Sequence, residues 1–194
     1  MITIGITGTL GAGKGTIVQY LVEEEGFEHY SVRGLLLEEM KKMGMPENRN
    51  SMTVLANRLR SAYGPSYIID QLYERANHDG HNCVIESIRT PGEIQSLRRK
   101  PDFYLFAVDA TARKRYNRIK KRGSETDAVS FKEFVIAEEI EMNSDDPHKQ
   151  NLARCIDMAD YRFENNGTIE QLLKEVKKVM TSVKKEIADG KRKD

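Results

Sequence analysis

The chain has 194 residues, enough to bury one sizeable core, and 39% of them are hydrophobic, as is ordinary for a globular protein. Its 31 basic and 30 acidic residues nearly cancel, so the overall charge does not support nonspecific binding to nucleic acid or to a membrane surface. The two cysteines, Cys83 and Cys155, have no ligand partners at metal spacing, which argues against a structural zinc site.

The apolar start of the chain, MITIGITG, has no basic lead-in and is too short for a signal peptide or a membrane span. We therefore expect a cytoplasmic protein with no membrane partner. Short β-branched runs then alternate with longer segments of helical periodicity, a pattern typical of a parallel sheet covered by helices on both faces. Five strands are predicted, at residues 2–7, 27–30, 83–87, 103–108 and 161–164.

Residues 8–16, GTLGAGKGT, separate the first strand from the first helix and match a phosphate-binding loop. Glycines let backbone N–H groups turn toward phosphates, and the helix from Lys14 adds unpaired amides and the positive end of its dipole. Lys14 is predicted to bridge the outer phosphates, whereas a glycine-rich turn with an accidental lysine is disfavoured by spacing and context together. The predicted nucleotide contacts are Gly8, Thr9, Leu10, Gly11, Ala12, Gly13, Lys14, Gly15 and Thr16.

The loop departs from the usual pattern, because Gly15 follows the lysine and the hydroxyl arrives one residue later, at Thr16. GAGKGT resembles the adenylate-kinase-like nucleoside monophosphate kinases. The resemblance implies an α/β P-loop NTPase fold, with a five-stranded parallel sheet, helices on both faces and a short helical lid. It also implies Mg²⁺ bound with ATP, an inner phosphate on Thr16, and a carboxylate after the third strand, here Glu86, that orients metal-bound water. A solvated strand-edge carboxylate is the alternative for Glu86.

Between the second and third strands, helical periodicity from Met52 stops at Gly64, and Pro65 is predicted to open the next helix, so residues 32–78 form a helical insertion. In the resembled kinases such an insertion lies on the acceptor side. After Glu86, the stretch SIRTPGE is similar to GFPRTLPQ of these kinases. The resemblance implies that Arg89 grips the acceptor phosphate, although the spacing from the carboxylate to the arginine is one residue shorter. Arg33 lies one helical turn before the position of the family's second arginine and could reach the same phosphate; a surface arginine is the alternative.

The basic segment 113–122 precedes a polar loop at 124–128 and a helix that begins at Ser130 with a capping box. In the resembled kinases such a hairpin is the lid. The resemblance implies a lid over residues 113–143. Arg122 and Arg118 of the lid would bind the donor phosphates, and Arg154 would bind them from the other side. The alternatives are a solvated helix face and a nucleic-acid patch.

The fifth strand ends in YRFENNGT, which resembles the loop beside the donor adenine and implies a contact for Asn166. It is also similar to the DNNG of dephospho-coenzyme A kinases, but these need a carboxylate base after the second strand, where HYSVRG has none. The final helix begins with a capping box at Thr168, and the charged tail at 184–194 should fray.

The pattern as a whole, including LANRLRSAYGP and IKKRG, is similar to a group of archaeal kinase-like proteins related to both families. We therefore expect one domain, residues 1–194, that transfers the γ-phosphoryl group of MgATP to a small phosphorylated acceptor, with a nucleoside monophosphate as first candidate. Nucleic acid is not an expected partner. A hydroxyl kinase of the dephospho-coenzyme A kinase type, and a nucleotide-dependent switch or ATPase acting on a macromolecular partner, remain as alternatives.

Overall fold

The fold is built on a five-stranded parallel sheet. The structure, a computed structural model, describes residues 1–123 and 129–190; the predicted polar loop at 124–128 and the end of the predicted tail, 191–194, lie outside the described residues. Every neighbouring pair of strands is parallel, in the order β2-β3-β1-β4-β5. The strands are β1 Thr3–Thr7, β2 Glu28–Ser31, β3 Cys83–Glu86, β4 Phe103–Asp109 and β5 Tyr161–Glu164. The predicted fold class and all five predicted strands are therefore confirmed, with ends that shift by one residue.

Helices connect the strands on both faces of this sheet. The described residues form α1 Lys14–Glu23, α2 Val32–Lys42, α3 Arg49–Tyr63, α4 Tyr67–Asp79, α5 Pro91–Leu97, α6 Ala112–Arg122, α7 Phe131–Met142, α8 Leu152–Asp157 and α9 Ile169–Ala188. None of these helices is long and apolar enough to cross a membrane.

The helix ends follow local sequence signals. The predicted capping boxes begin α7 and α9, with Ser130 and Thr168 as N-caps. The prediction that Pro65 opens α4 is wrong: the Tyr67 N–H donates to the Gly64 carbonyl at 3.2 Å in a turn that carries the chain past Pro65, and α4 begins at Tyr67. Gly64, at φ 109°, closes α3 as expected.

Two cores lie on opposite faces of the sheet, because successive strand residues point to opposite sides. One face places Ile4, Ile6 and Phe106 against α1 and α9. The other face places Ile85 and Leu105 beneath α2 to α5. A parallel sheet covered in this way leaves the carboxyl ends of its strands as the open edge where ligands bind.

A buried ion pair joins α3 to α5, and its carboxylate also binds the loop that follows β3. Arg60 is 1% exposed and donates to Oε1 of Glu93 from Nη2 at 2.9 Å, and the Glu93 side chain is fully buried. The second oxygen of Glu93 accepts the backbone N–H groups of Arg89 and Thr90 at 2.7 and 3.0 Å. One carboxylate therefore fixes the insertion to the segment that carries Arg89.

Replacing Glu93 with Gln should destabilise the protein by about 3–5 kcal/mol, since the Arg60 charge would stay buried without a counter-charge. The free energy of unfolding in urea measures this loss. The matched control is Glu74→Gln, which removes an exposed partner of Lys100 at 3.5 Å and should cost no more than about 1 kcal/mol. Equal, small losses for the two variants would contradict the structural importance of the buried pair.

Candidate active site

The glycine-rich loop joins β1 to α1 with backbone conformations that glycine favours. Gly8 and Gly13 have φ values of 136° and 113°. A Cβ atom on Gly8 would lie 2.0 Å from the Val108 carbonyl oxygen, and one on Gly13 would lie 2.3 Å from the Asn165 side-chain nitrogen. Side chains other than hydrogen are therefore excluded at both positions, and the loop packs directly on the ends of the neighbouring strands.

Lys14 folds back over this loop. Its Nζ donates to the carbonyl oxygens of Gly8 and Thr9 at 2.8 and 2.9 Å. Desolvation of the ammonium group, assisted by the positive charge of Arg89, lowers the pKa of Lys14 to about 7, although Glu86 and Glu141 act in the opposite direction. The positive charge of Lys14 is therefore disfavoured until an anion enters, and a phosphate in the loop would stabilise it.

The loop forms one wall of a cleft of about 530 Å³. Helices α2 and α3 and the end of β3 form the facing wall, and α6 and α7 border the cleft on a third side. The cleft-lining residues that the sequence had predicted for the site are Leu10, Gly11, Gly13, Lys14, Gly15, Thr16, Arg33, Glu86, Arg89, Arg118 and Arg122. The fold thus brings both groups of predicted residues, those for the donor and those for the acceptor, to one cavity.

The end of β3 presents an ionised carboxylate to the cleft. His29 Nε2 lies 3.7 Å from Oε1 of Glu86. The nearby His29 side chain, together with the charge of Lys14 and the neighbouring Ser31 side chain, lowers the pKa of Glu86 despite its burial. The next residue, Ser87, has φ 68°, a strained conformation for a residue other than glycine, and it also lines the cleft. Because nothing in the sequence signals a positive φ at a serine, Ser87 was not predicted.

Arg89 is held at both its backbone and its side chain. Its N–H donates to Glu93 at 2.7 Å and its carbonyl accepts from the Asn151 N–H at 2.9 Å. Its Nη1 donates to Oε2 of Glu141 at 2.9 Å and to Oε1 of Gln150 at 2.6 Å. Neither Glu141 nor Gln150 was predicted, since they come from segments more than 50 residues away and belong to no motif.

Three of the arginines of α6, Arg115, Arg118 and Arg122, have different surroundings, although their spacing of three and four residues places them on one side of the helix. Arg118 donates to the carbonyl oxygen of Asn165 at 2.8 Å and lies 3.4 Å from the carbonyl oxygens of Gly11 and Ala12. Arg122 lines the cleft one turn further along. Arg115 is buried below the loop, so it does not line the cleft.

Arg115 links three segments. Its Nε donates to the Ala110 carbonyl at 2.6 Å, its Nη1 reaches the Leu10 carbonyl at 3.3 Å, and its guanidinium pairs with Glu138 of α7. The base of the loop is tied in a similar way, since the Thr9 hydroxyl donates to Asp109 at the end of β4. The position of α7 and the position of the loop are therefore mechanically linked.

Five predicted residues are not among those that line the cleft: Gly8, Thr9 and Ala12 of the loop, and Arg154 and Asn166. Because Leu152 and Cys155 bury one face of α8, Arg154 is exposed and borders a separate surface depression with Asn151 and Asp157. The Asn166 side chain accepts the Thr111 N–H at 2.9 Å instead of pointing to the loop. Neither Arg154 nor Asn166 therefore lines the cleft in this structure, and their expected roles stay predictions.

The neighbouring asparagine makes the contact with the loop. Asn165 is 6% exposed, and its Nδ2 donates to the Ala12 carbonyl at 2.8 Å. The motif NNG indicated that an asparagine contacts the loop. The sequence does not show which of the two adjacent asparagines points inward at the end of β5.

The cleft contains oxygen ligands that suit a magnesium ion bound with a nucleotide. Thr16 and the ionised Glu86 both line it, and hard oxygen donors are the ligands that Mg²⁺ prefers. Among residues 1–123 and 129–190, His, Cys, Asp and Glu side chains do not gather in groups of three or more that could hold a metal. Glu86 and Thr16 are therefore the residues that could meet a magnesium ion carried in with a nucleotide.

Comparisons with known proteins match the chain to a family model and to relatives of similar length. A family model described as an AAA domain, AAA_18, matches residues 4–145. The UPF0200 protein of Methanothermobacter thermautotrophicus is 31% identical over 182 residues, which cover 93% of this chain and 90% of the relative. The UPF0200 protein MMP1282 of Methanococcus maripaludis is 29% identical over 168 residues, which cover 84% of this chain and 87% of the relative.

Solved kinase structures share the fold. Shikimate kinase from Bacteroides thetaiotaomicron superimposes with a TM-score of 0.58 and 14% identity, covering 93% of this chain and 98% of that one. A sugar kinase from a Janibacter species superimposes with a TM-score of 0.55 and 15% identity, covering 93% of each chain. At these identities the likeness establishes a P-loop kinase fold and nothing about the substrate.

Binding of MgATP at pH 8 should be accompanied by proton uptake. The pKa of Lys14 is about 7 in the ligand-free protein, so most of the amines are neutral at pH 8, and phosphate charge should raise that pKa and protonate them. The uptake should shrink below pH 7, where the amine already carries its proton. Calorimetric titration in buffers of different ionisation enthalpy measures it, with Lys14→Met as the control. Equal proton uptake by the wild type and the control would contradict the lowered pKa.

Asn165→Ala should weaken MgATP binding by about 5- to 10-fold, because the Ala12 carbonyl loses its partner and the loop becomes less ordered. Asn166→Ala is the matched variant and should have a smaller effect, since its side chain bonds to Thr111 away from the cleft. Calorimetry or fluorescence titration compares the two. A larger loss of MgATP affinity for Asn166→Ala than for Asn165→Ala would instead favour the adenine-side contact that the sequence predicted for Asn166.

Proposed function

The chain belongs to the AAA domain family AAA_18 and to the UPF0200 proteins, and we propose that it is an ATP-dependent kinase that transfers the γ-phosphoryl group of MgATP to the phosphate of a small acceptor. A (deoxy)nucleoside monophosphate is the first candidate for the acceptor. The observation that carries the proposal is that a phosphate loop with Lys14 and an anchored arginine, Arg89, line the same cleft.

The donor phosphates would lie in the loop. Backbone N–H groups at the start of α1 and the dipole of that helix favour anions there. Lys14 would neutralise charge between the outer phosphates, and Thr16 would contact an inner one. Arg118 and Arg122 line the same side of the cleft and would stabilise the transferring group when the nucleotide is present.

Magnesium would neutralise the charge of the phosphates, and Glu86 would orient a water molecule bound to it. The anionic oxygen of the acceptor phosphate would attack the γ-phosphorus and ADP would leave, so no side chain needs to act as a nucleophile or as a base. Rate acceleration would come from alignment of donor and acceptor and from fixed positive charge. The half-buried cleft would also limit competing hydrolysis by water.

The acceptor would lie against α2 and α3. Arg89 and Arg33 offer cations for its phosphate, and Arg33 is exposed at the start of α2. The same wall also includes the apolar side chains of Val32, Leu36, Met52 and Ala56. A cationic end and an apolar wall suit a ligand with one phosphate and a flat or apolar remainder, as in a nucleotide.

A hydroxyl acceptor is the second candidate, and the observation that favours it is the ionised Glu86 in the cleft. A hydroxyl must lose its proton during transfer, and a carboxylate near Lys14 could accept it. The solved structures with this fold include a shikimate kinase and a sugar kinase by name. In this case Glu86 would accept the proton of the hydroxyl and would not serve to orient a metal-bound water molecule.

A panel of acceptors distinguishes the candidates. MgATP is combined in turn with ribo- and deoxynucleoside monophosphates, dephospho-coenzyme A, shikimate and simple sugars, and ADP formation is followed by a coupled assay. We expect turnover with a monophosphate. Turnover of hydroxyl acceptors alone would support the second candidate, and acceptor-independent hydrolysis would indicate an ATPase instead of a kinase.

Arg89→Ala should then lower kcat/KM for the monophosphate by an amount equivalent to roughly 1.5–3 kcal/mol, the range for hydrogen bonds to charged groups, with ATP affinity nearly unchanged. Arg162→Ala is the matched control, since Arg162 pairs with Asp157 on the surface. Equal effects of the two variants would remove Arg89 from the acceptor site.

A further inference from the structure

The acceptor arginine already has an anionic partner inside the protein. Nη1 of Arg89 donates to Glu141 at 2.9 Å and to Gln150 at 2.6 Å. The side chains of Arg89 and Glu141 are only 23% and 14% exposed, so water screens this pair less than it screens a surface ion pair. The guanidinium of Arg89 is therefore already paired with a carboxylate and an amide oxygen before any ligand binds.

The Glu141 carboxylate lies in the cleft where substrate phosphates are expected. Glu141 lines the cleft together with Lys14, Glu86 and Arg89. Its negative charge also raises the pKa of Lys14, against the larger effects of desolvation and of Arg89. Glu141 is therefore close enough to affect the electrostatics of both the donor side and the acceptor side.

Helix α7 carries Glu141 and holds its carboxylate in the cleft. Glu138 precedes Glu141 by three residues, so the two side chains lie on neighbouring parts of the same helix face. Glu138 pairs with the buried Arg115, which also bonds to the Leu10 carbonyl of the phosphate loop. The anchor at Glu138 limits how far α7 can move away, and the Glu141 carboxylate remains near Arg89 whenever the acceptor position is empty.

An anion that binds Arg89 must therefore compete with Glu141. A ligand carboxylate would replace one negative charge with another, and its binding would also cost translational and rotational freedom. A phosphate monoester carries a charge of about −1.5 to −2 at pH 7 and offers three acceptor oxygens, so it gains more from the arginine than the carboxylate it displaces. Repulsion of weaker anions is a common route to specificity.

From this geometry we propose that Glu141 is a specificity-determining residue: its carboxylate competes for Arg89 and restricts the acceptor position to ligands that carry a phosphate. This inference rests on the proposed function, since it concerns the acceptor of that same reaction. The inference adds Glu141 to the acceptor site. The arginines of that site attract the acceptor, whereas Glu141 restricts which acceptors bind by competing for Arg89.

The test measures binding of two small anions, inorganic phosphate and acetate, by calorimetry. The phosphate loop is first saturated with the magnesium complex of a nonhydrolysable ATP analogue, so that the probe anions report on the acceptor side. The variant is Glu141→Gln, which keeps a hydrogen-bond acceptor for Arg89 and removes the charge. The matched control is Glu139→Gln, the same change at an exposed residue of α7.

We expect Glu141→Gln to bind phosphate about 5- to 10-fold more tightly than the wild type, as a competing charge-assisted bond is lost. Acetate should bind the variant measurably and the wild type not at all. Glu139→Gln should match the wild type. In an Arg89→Ala background, Glu141→Gln should change nothing, because the competition acts through Arg89.

Unchanged or weaker phosphate binding by Glu141→Gln would overturn the inference, since a residue that merely orients Arg89 would show a loss. Absence of phosphate binding by both the wild type and the variant would overturn it as well. If Glu141→Gln melts at a lower temperature than the wild type, Glu141→Asp provides the second test: a shorter side chain of equal charge should leave phosphate binding between the wild type and Glu141→Gln. No increase with Glu141→Asp would count against the inference.

The acceptor panel separates this inference from the proposed function. If no monophosphate is turned over but Glu141→Gln still tightens phosphate binding through Arg89, the proposed reaction fails and the competition stands. If a monophosphate is turned over and Glu141→Gln leaves phosphate binding unchanged, the reaction stands and the competition fails.

Discussion

Positive charge gathered in one half-buried cleft is the constraint on which the site depends. Lys14, Arg60, Arg89 and Arg118 all line this cleft, and each has a partner when no ligand is present. Backbone carbonyls accept from Lys14 and Arg118, whereas carboxylates pair with Arg60 and Arg89. Such charges are costly to bury without partners. These partners stabilise the buried charges when no ligand is bound. An anionic substrate would replace some of the partners and leave the others in place.

The partners differ in how easily they can be exchanged. Glu93 is fully buried and uses both oxygens, one on Arg60 and one on the backbone beside Arg89, so it is part of the framework. Lys14 rests on two backbone carbonyls and its pKa is lowered to about 7, so an incoming phosphate improves its environment. Glu141 is intermediate, because it is partly exposed and comes from a helix at the edge of the cleft. Permanent and exchangeable partners therefore lie within one cavity.

Helix α7 connects the two sides of the reaction proposed here. Through Glu138 and Arg115 it contacts the loop that would bind the donor, and through Glu141 it contacts the arginine that would bind the acceptor. Occupancy of either side would therefore affect the position of the same helix. Coupling of this kind fits a kinase that must hold two anions together and exclude water during transfer.

Local signals in the sequence determined much of the architecture. The β-branched runs predicted all five strands, the capping residues Ser130 and Thr168 predicted where two helices begin, and the glycines predicted a loop whose backbone admits no side chain at Gly8. These features depend on residues that are close together in the chain. The position of Lys14 shortly after β1 is also a local feature, so the sequence could predict it.

Only the tertiary structure decided which side chains share the cleft. It turned Asn165 toward the loop and Asn166 away from it, left Arg154 on the surface, and separated Arg115 from Arg118 and Arg122. It also brought Glu141 to Arg89 across 52 residues. Such choices depend on how α6, α7 and α8 pack at the end of the sheet, and periodicity specifies which side of a helix is apolar without specifying which neighbour each polar side chain meets.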